Sequence, residues 1–341
     1  MTPGGGAPAR EGAPRGAGPC TRLAPSPTGA LHLGNARSFL LAWLWARAGG
    51  AEVVLRIEDL DGPRTRAGAV DEVRADLAWL GLDWDREAPL QSARGPAYAA
   101  ALAALHAAGR VYPCVCTRAE VERAASAPHE GDDGPVYPGT CRGRFASAAE
   151  AERETGRAPC WRFALGPGPG GGEVAWDDAF RGREAHDPGR GGDFVVAKRS
   201  GEAAYQLAVV VDDAAQGVTD VIRGDDLVPS TPRQLLLYAA LGLPAPRFAH
   251  LPLVRGPDGR RLAKRHGDSR LAHYRALGVS PARVVALLAR WSGLAGPAVE
   301  ALPAAALRDV LAAAGGLDWA RVPRADVAFG PADDAWLRAG R

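Results

Sequence analysis

No stretch of this chain of 341 residues comes near the roughly 18 consecutive apolar residues that a membrane-crossing helix needs. Its start also lacks the apolar segment of a secretion signal, since residues 1–20 are mostly glycine, proline and alanine. These absences predict a soluble, cytoplasmic protein whose leader is disordered, because it has too few packable side chains to offset the entropy of ordering. Cysteine is scarce, five in all, and thiols stay reduced in that compartment, which excludes a disulfide framework. Net charge is only +2, too little for a chain that coats nucleic acid indiscriminately. No internal repeat is visible, which excludes solenoids and propellers. What is present is 47% hydrophobic and 23% charged residues, enough for two or three domains at about 100 to 200 residues each.

The first half alternates strand and helix patterns. A strand ends at Leu23, helices are expected over 35–48, 67–80 and 96–108, and a second strand over 52–57. That order predicts a parallel, nucleotide-binding sheet. From 113 to about 199 glycine, proline and scattered charge take over, including Gly166-Pro-Gly-Pro-Gly-Gly-Gly172, which reads as an insertion rather than more sheet. Residues 205–211 have the texture of a buried strand, 233–241 that of a helix opened by Pro232 and ended by Gly242, and 248–254 that of a closing strand. Ser280-Pro281 supplies an N-cap and a first-turn proline, and the rest is short and helical. The divisions expected are a leader over 1–20, the first half of a nucleotide-binding domain over 21–112, an insertion over 113–199, the second half over 200–279, and a helical C-terminal region over 280–341.

The densest chemistry lies in Arg22-Leu-Ala-Pro-Ser-Pro-Thr-Gly-Ala-Leu-His-Leu-Gly-Asn35. A proline-stiffened strand exit leads through a glycine turn to His32 at a helix entrance. Gly34 removes a side chain where backbone would crowd a nucleotide, and Asn35 opens the apolar run 38–45. A helix start with unpaired N–H groups and a positive dipole end attracts polyphosphate. His-x-Gly alone fits any strand-to-helix loop, whereas the fourteen-residue string is far more specific.

That string resembles the HIGH signature of class I aminoacyl-tRNA synthetases, in its glutamyl version. Four further blocks follow in the glutamyl order: Leu55-Arg-Ile-Glu-Asp-Leu-Asp-Gly-Pro-Arg-Thr65, Tyr205-Gln-Leu-Ala-Val-Val-Val-Asp-Asp213, Val221-Ile-Arg-Gly-Asp-Asp-Leu227 with Ser230-Thr-Pro-Arg-Gln234, and Arg261-Leu-Ala-Lys-Arg-His-Gly267. Two departures stand out. Asn35 replaces the second histidine of HIGH, and Ala263 the serine of a KLSKR-type loop. The brevity of the chain after Ser280 points within that class to the glutamyl-queuosine tRNA(Asp) synthetases, which lack an anticodon-binding domain.

The resemblance implies an α/β fold: a Rossmann-type parallel sheet, an inserted acceptor and zinc-binding domain, and a short helical C-terminal region. It further implies ATP, L-glutamate and tRNA(Asp) bearing queuosine as partners, Mg²⁺ with the ATP, one structural Zn²⁺, no membrane, and a monomer. His32 and Lys264 would be catalytic, and His32, Gly34, Asn35 and Lys264 would bind ATP. Arg22, Ala24, Ser26, Glu58, Tyr205 and Arg223 would bind glutamate, with Arg22 reading the side-chain carboxylate and Glu58 the ammonium. Taken singly, Glu58 and Asp59 also fit a surface acidic pair, Arg223 a strand-end salt bridge and Tyr205 a core aromatic. The basic stretch holding Arg255, Arg260, Arg261, Lys264, Arg265, Arg270 and Arg275 against Asp258 and Asp268 suits a triphosphate or an RNA backbone. It also fits a solvated helix face.

Cys114, Cys116 and Cys141 lie inside the insertion. By spacing they fit three legs of a tetrahedral zinc or small buried thiols. The resemblance implies the former, with Tyr137 as the fourth ligand and His129 as its rival, and leaves Cys20 and Cys160 as bystanders. Three other readings share features with this one. They are a short glutamyl-tRNA synthetase charging the 3′ end of tRNA(Glu), an HxGH nucleotidyltransferase without need of Glu58, Tyr205 and Arg223, and a non-catalytic RNA-binding module with an eroded site.

Overall fold

The computed structural model describes residues 18–27, 30–60, 68–124, 136–166, 172–260, 262 and 268–339. The chain opens with β1 (Cys20–Leu23), α1 (Leu33–Gly49), β2 (Glu52–Leu55), α2 (Ala69–Trp79), β3 (Arg86–Glu87), α3 (Gly95–Ala107), β4 (Val111–Cys114), α4 (Arg118–Ala124) and α5 (Ala148–Thr155). There follow β5 (Cys160–Phe163), β6 (Val174–Asp178), β7 (Gly182–His186), β8 (Phe194–Ala197), α6 (Tyr205–Ala215), β9 (Asp220–Gly224), α7 (Thr231–Leu241) and β10 (Arg247–Leu251). It closes with β11 (Val254–Arg255), α8 (Leu271–Ala276), α9 (Pro281–Trp291), α10 (Ala304–Ala313), β12 (Val327–Ala328) and α11 (Pro331–Arg338).

β1, β2 and β3 form one parallel sheet. β9, β10 and β6 form a second parallel set, with β7 antiparallel at its edge. The two sets are stitched along β1 and β9: Thr219 N donates to Cys20 O at 2.9 Å, Thr21 Oγ1 to Asp220 O at 2.8 Å, and Arg22 Nη1 to Ile222 O at 3.2 Å. Strand order therefore reverses between β1 and β9, and a doubly wound sheet opens a crevice at the carboxyl ends of its strands at such a point. Side chains alternate across the sheet as the period of two demands. Val53, Leu55 and Ile222 join the core under α1 and the C-terminal helices, whereas Val54, Val221 and Phe248 join the core under α3, α6 and α7.

Several sequence expectations are corrected. Residues 205–211 are not a strand but the start of α6, with Leu207, Ala208, Val209 and Val210 all buried; a short apolar run in a helix buried on most sides has no periodicity to separate it from a strand. Cys20, placed in the leader, begins β1. The segment 113–199 is not one insertion without sheet. β4, β5 and β8 make a small antiparallel sheet of their own, while the β6–β7 hairpin hydrogen-bonds to β10 and belongs with the nucleotide-type sheet. The C-terminal helices are not a separate body either, since Leu287, Leu288, Leu307 and Leu311 share a core cluster with Leu40 and Leu44 of α1. Ser280 does cap α9, accepting from Arg283 N, with Pro281 in the first turn. No helix among the described residues is long and apolar enough to cross a membrane.

The packing of α2 against α8 carries a buried charge. Asp76 is fully buried, neither carboxylate oxygen has a hydrogen-bond partner, and Arg275 Nη1 faces it at 3.2 Å. Burial pushes its carboxyl up from 3.8 to about 6, with Arg275 opposing. The folded chain thus holds this proton to higher pH than the unfolded chain does, so the contribution to stability is present below about pH 4 and is lost as pH rises to about 6. Asp76→Asn should abolish that loss, so that from pH 4 to 7 the variant gains on wild type by about 1 to 3 kcal/mol in urea unfolding. A difference that does not change with pH would rule this account out.

Candidate active site

Three arginines lie at or next to the carboxyl ends of strands at the crevice. Arg22 lies in β1, Arg56 directly follows β2, and Arg223 lies in β9; all three are buried. Buried guanidinium groups require anions, and α6 supplies the principal one. Asp213 accepts from Arg56 Nη1 at 2.5 Å and from Tyr238 OH at 3.3 Å, and lies 3.6 Å from Arg22 Nε. Arg56 also donates to Gln216 Oε1 at 3.0 Å and to Glu58 Oε1 at 3.2 Å. Burial works against the Arg56 charge, yet Asp213, Glu58 and Asp212 raise its pKa. Burial lowers that of Arg22, with Asp213 countering, and raises that of Glu58, with Arg56 and Arg22 countering.

Backbone pairing continues past the strands, with Arg56 N donating to Leu23 O at 2.9 Å and Glu58 N to Pro25 O at 3.0 Å. This brings Ala24 and the exposed Ser26 alongside Glu58. Tyr205, partly exposed at the first position of α6, stands in the field of Arg223, Glu58 and Arg22. Arg22, Glu58, Tyr205 and Arg223, far apart in sequence, therefore share one site. One nitrogen in it, Arg223 Nη1, is buried without a partner, as befits a donor facing a ligand, whereas Arg22 Nε lies towards Asp213. Three guanidiniums against the carboxylates of Glu58 and Asp213 leave one positive charge over. An amino acid with a carboxylate side chain carries one net negative charge and presents two anionic ends and one cationic end, which such a cluster can hold.

His32 is the N-cap of α1, with Nδ1 accepting from Gly34 N at 3.1 Å and Asn35 N at 3.4 Å. An accepting Nδ1 places the ring proton on Nε2, as a donor. Leu33 N donates to Ser269 O at 3.0 Å and Ala36 N to His32 O at 3.0 Å. The expectation of unpaired N–H groups at this helix start is therefore corrected: the first turn is engaged by His32 and by Ser269 O, leaving the dipole and side chains to act on an anion. Gly34 has a further role. A Cβ there would stand 3.0 Å from Cε1 and 3.1 Å from Nδ1 of His32, so the glycine makes room for the capping ring.

Residues 20–300 match the catalytic domain of the class I tRNA synthetases (E and Q). The chain belongs to that family. A glutamyl-Q tRNA(Asp) synthetase of Symbiobacterium thermophilum is 54% identical over 285 residues, 81% of this chain and 87% of the relative. One of Rhodopirellula baltica is 50% identical over 286 residues, 80% and 84% of the two chains. The solved glutamate-tRNA synthetase of Elizabethkingia anophelis superposes with a TM-score of 0.77 at 26% identity, over 94% of this chain and 69% of that one.

In this synthetase the flanks of the basic loop meet the His32 segment. Leu271 N donates to Leu31 O at 2.8 Å, and His32 and Arg270 pair as an antiparallel bridge. Lys264, Ala263, Arg261, Arg265 and the rival metal ligand His129 lie outside the described residues. The wider basic stretch is less free than its sequence implied: Arg255 pairs with Asp326, Arg270 with Asp268, and Arg275 with Asp76.

The thiols of Cys114, Cys116 and Cys141 converge, with their sulfurs all within 4.8 Å of one another. Cys116 and Cys141 Sγ are 3.5 Å apart, and Tyr137 OH stands 3.2 Å from Cys114 Sγ and 4.0 Å from Cys116 Sγ. Tetrahedral zinc with bonds of about 2.3 Å to sulfur holds its sulfurs about 3.8 Å apart, so the residues fit a metal ion. The Cys160 thiol and Tyr137 hydroxyl hold the Cys114 thiol down at about 4, whereas burial pushes Cys116 up to about 12. Cys160 also donates to Cys114 O at 3.2 Å and is not one of the three converging thiols. At Gly192, φ is +70° and a Cβ would collide with the Tyr137 carbonyl, so that glycine lets the Tyr137 segment close on the β8 side.

Sequence reasoning missed Arg56, Asp213, Asp178 and His250. A signal existed for the first. Arg56 interrupts the apolar run Val53-Val-Leu-Arg-Ile57, and a charge inside a buried strand pattern demands a partner.

Proposed function

We propose that this chain activates L-glutamate with ATP as glutamyl-adenylate and transfers the glutamyl group to queuosine of tRNA(Asp). The observation that carries the reading is the gathering of Arg22, Glu58 and Arg223 at the strand ends with Tyr205 at the start of α6, beside the helix that His32 caps. Its charge matches glutamate, and relatives at 54% and 50% identity are glutamyl-Q tRNA(Asp) synthetases. The glutamate α-carboxylate attacks the α-phosphorus of ATP, a P–O bond forms, and pyrophosphate leaves. No protein nucleophile is required; the protein positions the reactants and stabilises developing charge. Arg22 grips the side-chain carboxylate with a planar fork, Glu58 takes the ammonium with help from Ser26 and the Ala24 segment, and Tyr205 and Arg223 close over the carboxylates. His32 donates from Nε2 to the phosphates, Gly34 and Asn35 shape that end of the ATP site, and Lys264 follows the charge onto pyrophosphate. Mg²⁺ bound with ATP supplies further charge neutralisation.

Cys114, Cys116, Cys141 and Tyr137 would hold one structural zinc, where a backbone donor, Cys141 N, already meets the Tyr137 oxygen at 2.9 Å. The protein acts in the cytoplasm as a monomer.

The acceptor is tested with labelled glutamate, ATP and total tRNA from cells with or without queuosine. Label should enter only the queuosine-bearing tRNA. Equal labelling of both tRNA pools would instead assign the chain to 3′-end charging of tRNA(Glu).

Arg22→Ala should raise the barrier for glutamate by about 2 to 5 kcal/mol, the scale for truncating one partner of a buried charge pair. Glu58→Gln should weaken glutamate and leave ATP affinity unchanged. ATP–pyrophosphate exchange measures both, and wild-type kinetics in the two variants would show that the pocket is assigned to the wrong residues.

Zinc content by mass spectrometry should be one per chain and fall in Cys116→Ser. That variant should lose transfer to RNA more than adenylate formation, because the thiols gather at the end of β4, on a three-stranded sheet separate from the parallel one. Zinc-free wild type would return the thiols to a purely structural role, and equal loss of both activities would mean that this sheet supports the whole active site.

A further inference from the structure

His250 is the last residue but one of β10, fully buried, and its Cα pairs in register with that of Arg223 on β9. Its Nε2 faces Arg223 Nε at 3.0 Å and Thr231 Oγ1 at 3.0 Å, while Nδ1 lies 2.5 Å from Asp178 Oδ2. A guanidinium can only donate. Nε2 is therefore an acceptor, and the ring proton sits on Nδ1, directed at Asp178. The other oxygen of Asp178 is fixed by three backbone donors: Phe180 N at 3.0 Å, Arg181 N at 2.9 Å and His250 N at 3.2 Å. Arg223 is held on its remaining edge by Thr231 Oγ1 at 2.9 Å and Leu227 O at 3.4 Å, with Phe248 against its face. Nη1 is buried and has no partner.

We propose that Asp178 and His250 are positioning residues for substrate recognition: Asp178 fixes the His250 tautomer, and His250 with Thr231 locks Arg223 so that Nη1 is aimed at a carboxylate of the amino acid. This inference rests on the reading of Arg223 as a substrate-binding residue. An imidazole with its proton on Nε2 would set N–H against N–H and turn the guanidinium away. Burial holds the ring pKa down at about 4, which keeps it neutral and accepting at physiological pH.

Asp178→Asn provides an isosteric test. The three backbone donors hold the amide oxygen at the Oδ1 position, so the amide NH₂ must face Nδ1 and drive the ring proton onto Nε2. In ATP–pyrophosphate exchange, KM for glutamate should rise ~tenfold or more, the scale of one buried hydrogen bond lost, while KM for ATP stays within about twofold. His250→Ala should behave likewise, and His250→Gln, which restores an acceptor near Nε2, should recover most of the loss. Thr231→Val, close in shape to wild type, should give a smaller rise in glutamate KM and serves if the histidine variants fold poorly. Arg223→Gln is measured in parallel. If it leaves the glutamate KM unchanged, the reading of Arg223 fails and this inference with it. If it raises that KM while Asp178→Asn and Thr231→Val match wild type, the reading of Arg223 stands and the positioning role is overturned. An equal rise for ATP and glutamate in Asp178→Asn would also overturn it, because that is the mark of general damage to the fold.

Discussion

The site depends on keeping three guanidinium groups charged at the buried ends of parallel strands. An isolated ion there would carry a desolvation penalty of several kcal/mol, so each arginine is tied to something that cannot move. Arg56 is tied to Asp213 and Glu58, Arg22 to the Ile222 carbonyl and the Asp213 field, and Arg223 to His250 and Thr231. Asp213 is the hinge of this arrangement, because one buried carboxylate serves two of the three cations. Its position is set in turn by α6, whose neighbouring Asp212 is bonded by Arg94, Gln91 and Tyr98. Folding of α3 against α6 and the charge balance of the crevice are thus one problem. A substrate bearing one net negative charge completes the balance.

The thiol group obeys the same logic on a smaller scale. Cys114, Cys141 and Tyr137 belong to a small cluster of nine buried residues against which the partly buried Cys116 packs, and Arg162 lies 3.4 Å from Cys114 Sγ and 3.8 Å over the Tyr137 ring. That cation favours a thiolate at Cys114, a metal ligand's protonation state. Asp193 braces the region by accepting from Tyr112 OH at 2.5 Å, from Arg142 and from Leu165 N at 2.9 Å. The loop that follows Cys141 is thereby bound to the β4–β5–β8 sheet by a carboxylate as well as by the thiols.

The sheet was legible in the sequence where elements were regular and their ends punctuated. The strand to Leu23, the helix after His32, the Ser280 cap and the Gly242 stop all lie close to where local chemistry predicts. Legibility failed where the pattern is shared by two structures. Leu207 to Val210 fill a helix buried on most sides, and Val174–Asp178 pairs with a strand some seventy residues later, a contact that no local signal carries. In the site, residue types that resemble known binding positions were found directly. Those that hold them, Arg56, Asp178, Asp213 and His250, act through partners distant in sequence, and a single sequence does not show its partners.

The capped start of α1 changes how an anion can be held there. With Leu33, Gly34, Asn35 and Ala36 N–H groups all engaged, a phosphate gains the field of the helix dipole, worth about 0.3 to 1 kcal/mol at exposed sites, but no direct backbone donor from that turn. The donors must be side chains. His32 is suited to this, because the same bonds that satisfy the helix through Nδ1 fix its proton on Nε2. The Asn35 side chain, at the position of the second HIGH histidine, extends from a residue whose own backbone is already capped. The antiparallel bridge of His32 to Arg270 then couples the other end of the system: any displacement of the segment at 268–271 pulls on the residue that caps the helix. Two motifs separated by more than two hundred residues are in this way one mechanical unit, and its rigidity comes from backbone bonds rather than from the ligand.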